Sequence, residues 1–153
     1  MSALISIEGI LRTETGDPIP DGIKLFRVLS ENYRIILSSD ADPAKTEHWL
    51  RSHMIAGYGE FYDSSSFYVG QPLRQRHIDI ERAKGKLELF IDSDPESCAY
   101  ALSQGVVSIL FASPKFVRVA RSVRPWDDLQ VEVERQKEAL LDAHIGNSVK
   151  RFE

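Results

Sequence analysis

Thiols are almost absent from this sequence: of 153 residues one is a cysteine, Cys98. No internal disulfide can form, and no CxxC or Cys/His spacing supplies a zinc site, so the expected setting is reducing and cytoplasmic. Long apolar runs are missing too. The longest, such as Val106–Ala112, is broken by Ser108 and falls far short of the ~20 residues a membrane helix needs. The first residues lack the charged-then-apolar pattern of a secretory signal. Membrane insertion and secretion are therefore disfavoured. Excess positive charge is lacking as well, with 19 Lys and Arg against 23 Asp and Glu for a net charge of −4. That balance argues against a nonspecific nucleic-acid binder. No GxSxG, Walker A or GxGxxG segment occurs, so the best-marked routes to serine hydrolysis and nucleotide binding lack support.

What is present is the composition of one soluble domain spanning residues 1–153, with 42% hydrophobic and 27% charged residues. Apolar runs of strand length recur, each followed by a polar break and a segment of helical spacing, which is the grammar of βαβ units. Strands are expected at Leu4–Ile7, Tyr33–Leu37, Leu87–Ile91 and Val106–Phe111, the last with the nearly all-apolar content of a strand buried on both faces. A short strand and a loop are expected between Gly57 and Gly70. Helices are expected through Ile23, Phe26 and Leu29; from Asp42-Pro43 through Trp49, Leu50 and Met54 to Gly57; from Pro72 to Lys84; and from Asp94-Pro95 to about Gln104. A final amphipathic helix, Trp126 to about His144, would turn Leu129, Val133, Leu140 and Leu141 inward. The fold class that follows is three-layer α/β/α, doubly wound on a mainly parallel sheet. The interval from Gly9 to Gly22 is too short to hold a large cap.

In an open parallel sheet, ligands bind beyond the carboxyl ends of the strands. The residues there are Glu8 and Gly9; Ser38, Ser39, Asp40 and Asp42; and Asp92, Ser93 and Asp94. Clustered carboxylates without histidine or thiolate suit a hard cation such as Mg²⁺, and hydroxyls with helix N-terminal amides suit phosphate. Asp42 and Asp94 each precede a helix-starting proline, so capping alone explains both. Asp92 directly follows an apolar strand, where an unpaired carboxylate would be costly, and it stands out as the best single functional residue.

The order of these pieces resembles the haloacid dehalogenase (HAD)-like hydrolase superfamily. Leu4-Ile5-Ser6-Ile7-Glu8-Gly9-Ile10-Leu11 is similar to that family's first motif, a strand ending Asp-x-Asp-Gly-Thr. Arg34–Ser39 resembles the second, with Ser39 as the phosphate-binding hydroxyl and Ser38 as the alternative. Leu89-Phe90-Ile91-Asp92-Ser93-Asp94-Pro95 resembles the fourth, and Arg124-Pro125-Trp126-Asp127-Asp128 the start of the last helix. The resemblance implies a Rossmann-like core, Mg²⁺ on Asp92, Asp94 and Glu8, and a phosphorylated small molecule or a protein partner. For the third motif, a lysine or arginine beside the phosphate, it offers Arg74 or Arg76, with Lys84 and Lys86 closer to the following strand. Arg76 is carried forward as the phosphate-binding candidate. Short capless proteins of this kind also resemble ones encoded by tailed phages, which implies an accessory or structural role in a virus.

The first motif departs from the family in its two acids. Ser6 and Glu8 stand where the family has its nucleophilic aspartate and its general acid and base, and the first aspartate of the chain is Asp17. A serine must be deprotonated before it attacks, and no histidine adjoins Ser6 in sequence. Glu8 is one methylene longer than aspartate, enough to misplace a proton-transfer group. The expectation is a catalytically degenerate domain with a binding, accessory or assembly role. A Mg²⁺-dependent phosphatase with an unusual nucleophile is one alternative. The other is an interaction module using the basic strip Lys115, Arg118, Arg121 and Arg124. His48 and His53, five apart, do not share a helix face as an i, i+4 metal pair would, and His77 and Asp79 are taken as ordinary helix residues. Tyr58, Phe61, Tyr62, Phe67 and Tyr68 are expected to form local core.

Overall fold

The computed structural model describes residues 1–113 and 125–150; the strip from Lys115 to Arg124 lies outside them. Five strands, β1 (Ser2–Ser6), β2 (Arg34–Ser38), β3 (Glu60–Tyr62), β4 (Leu87–Asp92) and β5 (Val107–Leu110), form one sheet in the order β3-β2-β1-β4-β5. Every pairing is parallel. The strand order reverses direction beside β1, so the gap between β1 and β4 is the topological switch point.

The strands read as near-continuous apolar runs because helices cover both faces of the central strands. On one face Ala3, Ile5, Ile35, Leu37, Leu89 and Ile91 pack with Phe26 of α1 (Pro20–Ser30) and with Trp49 and Leu50 of α2 (Pro43–Ser52). On the other, Leu4, Ile36 and Phe90 pack with Ile78 of α3 (Leu73–Lys84) and with Cys98 and Ala101 of α4 (Pro95–Ser103). This is the expected three-layer, doubly wound parallel architecture. Only residues 7–19 separate β1 from α1. Gly22 lets α1 lie directly on that loop, since a Cβ there would fall 1.6 Å from the Ile10 carbonyl oxygen.

Both Asp-Pro helix starts behave as caps. Asp42 Oδ1 accepts from Lys45 N at 2.8 Å, and Asp94 Oδ1 accepts from Glu96 N at 3.2 Å. Elsewhere the structure corrects the sequence reading. Helix α2 ends at Ser52 and Met54, expected in its buried stripe, is 87% exposed with a left-handed φ of +53°. Among the described residues β5 is an edge strand, not one buried on both faces: Val107 and Ile109 are exposed, and only Ser108 and Leu110 turn partly inward. Of the apolar residues expected inward on α5 (Pro125–Lys150), Leu129 alone packs on the core, while Leu140 and Leu141 are exposed. The helix meets α4 through a polar contact instead, Gln136 Nε2 to the Leu102 carbonyl. Tyr58, Phe61 and Tyr62 join the core as expected, whereas Phe67 and Tyr68 are exposed. No described helix is long and apolar enough to cross a membrane.

Candidate functional site

Strand alternation decides which side chains meet. Leu4, Ile36 and Phe90 face the α3 side of the sheet, so Ser6, Ser38 and Asp92, each two residues further along, face it too. Ser6 pairs in register with Ser38, and Asp92 lies one step beyond the Ile5–Ile91 pair. Across three adjacent strands the row therefore reads Ser38, Ser6, Asp92. All three are fully buried.

Arg74 of α3 comes down onto this row. Its guanidinium donates to Ser38 Oγ and to Asp40 Oδ1 (3.1 Å), lies 3.4 Å from Glu8 Oε2, and sets Nε 3.3 Å from Asp92 Oδ2 in an ion pair. Because it reaches both flanking strands, it spans the strand that carries Ser6. The side chain is only 3% exposed. Burial alone would lower its pKa, but Asp40, Asp92 and Glu8 together hold it above the usual arginine value. Asp92 Oδ1 in turn accepts from Ser93 N at 2.7 Å.

Glu8 is equally committed. Its Oε1 accepts from Arg12 Nη2 (2.7 Å) and Ser39 Oγ (3.1 Å), and its Oε2 from Asp40 N (3.2 Å). Arg12 stacks over the Trp49 ring at 5.2 Å, and Trp49 Nε1 donates to the Gly16 carbonyl at 2.8 Å. Ser39 Oγ also meets Thr46 Oγ1 at 2.9 Å and accepts from Ala41 N. Both serines at the end of β2 therefore reach the crevice by different routes: Ser38 under Arg74, Ser39 against Glu8.

His77, read from sequence as an ordinary helix residue, is fully buried. Its Nε2 lies 2.9 Å from the Asp63 carbonyl, which can only accept, so Nε2 carries the proton and Nδ1 is the acceptor. Ser38 Oγ, 2.6 Å from Nδ1, donates to it. Burial, and then the Arg74 charge, push the imidazole down to about 4, which keeps it neutral. The resulting chain runs from Arg74 through Ser38 and His77 to the Asp63 backbone.

The structure thus brings Glu8, Ser39 and Asp92 together with Ser6, Ser38, Asp40 and Arg74. Two expected site residues stand apart. Arg76 places its guanidinium 5.5 Å over the Tyr68 ring, away from the row, because it sits about 200° round the helix from Arg74. Asp94 spends both oxygens on its own helix, on Glu96 N and, at 2.7 Å, on Ser97 Oγ. Glu8, Asp92 and Asp94 therefore do not form a ligand set, and among the described residues no group of three His, Cys, Asp or Glu is disposed to hold a metal ion. Among the described residues the donors that the resemblance implies for Mg²⁺ are not gathered into such a group.

Among the described residues Ser6 Oγ is buried without a hydrogen-bond partner. The buried imidazole of His77 is engaged with Ser38 and Asp63 and makes no hydrogen bond to it.

No family model matches this chain, and no curated protein matches it. Among solved structures it is similar to a hydrolase from Streptococcus pneumoniae, with a TM-score of 0.53, 16% sequence identity, and coverage of 74% of this chain and 94% of that one. The likeness is one of fold: a Rossmann-like α/β core on a parallel sheet.

Proposed function

We propose that this protein is a catalytically degenerate HAD-like domain that works by binding or assembly and not by phosphoryl transfer. The observation that carries the reading is Ser6, a buried hydroxyl with no hydrogen-bond partner among the described residues, at the place where the resembling family has its attacking carboxylate. A serine at its ordinary acidity is a poor nucleophile until a positioned base takes its proton. The hydrolase fold of the solved neighbour supports the architecture of this reading. The test is release of phosphate from a broad panel of phosphomonoesters, with and without Mg²⁺, by the natural chain, by Ser6→Asp and by Ser6→Asp/Glu8→Asp. Silence of the natural chain is expected. Turnover by the natural chain that disappears in Asp92→Asn would overturn the reading.

A second reading has one observation in its favour. Ser38, His77 and the Asp63 carbonyl form a nucleophile–base–orienter chain with hydrogen-bond distances of 2.6 and 2.9 Å. Against it, both side chains are fully buried and Arg74 donates to the Ser38 hydroxyl, so a substrate reaches Ser38 only if Arg74 leaves. Phosphate or ester release abolished by Ser38→Ala and by His77→Ala would favour this reading over the first.

A further inference from the structure

We propose that Arg74 is the resident cation of the crevice, a guanidinium fixed between the carboxylates where a divalent cation would otherwise sit, closing the site to Mg²⁺ and to phosphate dianions that need one. The inference deepens the reading of a degenerate site and rests on it for what the crevice no longer does; its own test reads stability and not turnover.

Three observations carry it. Arg74 meets carboxylates from three different strand ends, Glu8 after β1, Asp40 after β2 and Asp92 on β4, all at 3.1–3.4 Å. It is anchored by a buried hydrogen bond to Ser38, so leaving would strand fully buried Asp92 and mostly buried Glu8, which burial makes costly to hold unpaired. A planar fork is suited to such a multi-directional contact in a way that a lysine is not. Finally, the carboxylates are not disposed to share a metal among themselves, because each is oriented on a guanidinium or a backbone amide. With Arg12 included, two guanidinium groups face three carboxylates, which leaves the crevice one charge negative. A phosphomonoester bringing nearly two more negative charges would enter against that field.

Thermal unfolding of the natural chain at pH 7.5 is measured in about 10 mM MgCl2, in sodium phosphate, in both together, and in KCl and Na2SO4 of matched ionic strength. A site filled at roughly a hundred times its dissociation constant raises the midpoint by several degrees in a chain of this size. The expected shift relative to the salt controls is below about 1 °C in every arm. A Mg²⁺-specific or Mg²⁺-plus-phosphate-specific rise of several degrees would overturn the proposal. The second measurement is a cycle between Arg74→Gln and Asp92→Asn. If Arg74 is the counter-ion, Asp92→Asn lowers the midpoint of the natural chain but raises that of Arg74→Gln, because in the latter it removes an orphaned charge. A merely structural arginine would give losses of the same sign in both backgrounds, and that result would also overturn the proposal. Where Arg74→Gln does not fold, Arg74→Met, which also removes the charge, replaces it. Asp92→Asn must then again raise the midpoint, and a loss would overturn the assignment.

Discussion

Acid should weaken this protein through one imidazole. His77 is neutral in the folded chain down to about 4, against an ordinary value of 6.5. Between those values the unfolded chain binds a proton that the folded chain refuses, so stability falls as pH falls. The contribution is complete above about pH 6.5, is lost progressively down to about pH 4, and is flat below that. At about 1.4 kcal/mol per pH unit the loss amounts to about 3 kcal/mol, or roughly 6–12 °C in midpoint for a chain of this length. The cause is local. Protonated Nδ1 would face Ser38 as a donor where Ser38 already donates, while Arg74 presses a second positive charge on the same hydroxyl. Carboxylates titrate in the same window, so the assay compares the natural chain with His77→Gln, whose amide keeps one donor and one acceptor and never charges. Urea unfolding at half-unit steps from pH 7.5 to 4 should show the natural chain losing about 3 kcal/mol more than the variant. Parallel curves would refute the assignment of a neutral, proton-refusing imidazole.

Other outcomes follow from single contacts. Gly22→Ala should destabilise by about 2 kcal/mol or more, because its Cβ would meet the Ile10 backbone, which cannot rotate away; chemical denaturation checks this. Tyr62→Phe removes the 2.6 Å hydrogen bond to buried Glu81 and should cost about 1–3 kcal/mol. The same bond, after burial itself, helps push the phenol up to about 12, so the native absorbance of Tyr62 should not titrate at pH 10. Burial pushes the Cys98 thiol above its ordinary value, so an aromatic disulfide reagent should find no reactive thiol in the native chain and one after unfolding.

The sheet was legible in the sequence because helices cover both faces of its central strands and leave apolar runs such as Ile35-Ile36-Leu37 that stand out against their surroundings. The Asp-Pro starts were legible because capping is a local interaction. Helix α3 shows where pattern reading stops. Its buried residues are Arg74, His77, Ile78 and Glu81, the i, i+3, i+4, i+7 stripe of a core-facing helix with three of the four positions polar. Hydrophobic periodicity is silent on such a stripe, and Arg74 and Arg76 look equivalent until the phase is set. The phase was available from Ile78: stepping back four residues lands on Arg74 and back one on His77. The edge position of β5 among the described strands was out of reach for another reason, since strand order is a tertiary fact and the residues of that strand carry the same β-branched signal in either place.

On the proposed reading, position 6 links the missing nucleophile to the resident cation. An aspartate there would lie beneath the Arg74 guanidinium, between Ser38 and Asp92, and would raise the crevice from three carboxylates to four against two guanidinium groups. With Asp92 and the new aspartate side by side in a fully buried row, two unbalanced negative charges would be costly, and a divalent cation is the simplest way to offset them. With serine in place, Arg74 and Arg12 together leave only one unbalanced charge. On the proposed reading, the absence of an attacking carboxylate and the absence of a need for metal both follow from serine at position 6. Ser6→Asp should therefore restore both pressures at once: the variant should be less stable than the natural chain at pH 7.5, and less so as pH falls toward the carboxylate range. An equally stable Ser6→Asp at pH 7.5 would mean that Arg74 absorbs the extra charge alone, and the electrostatic link between the two losses would fail.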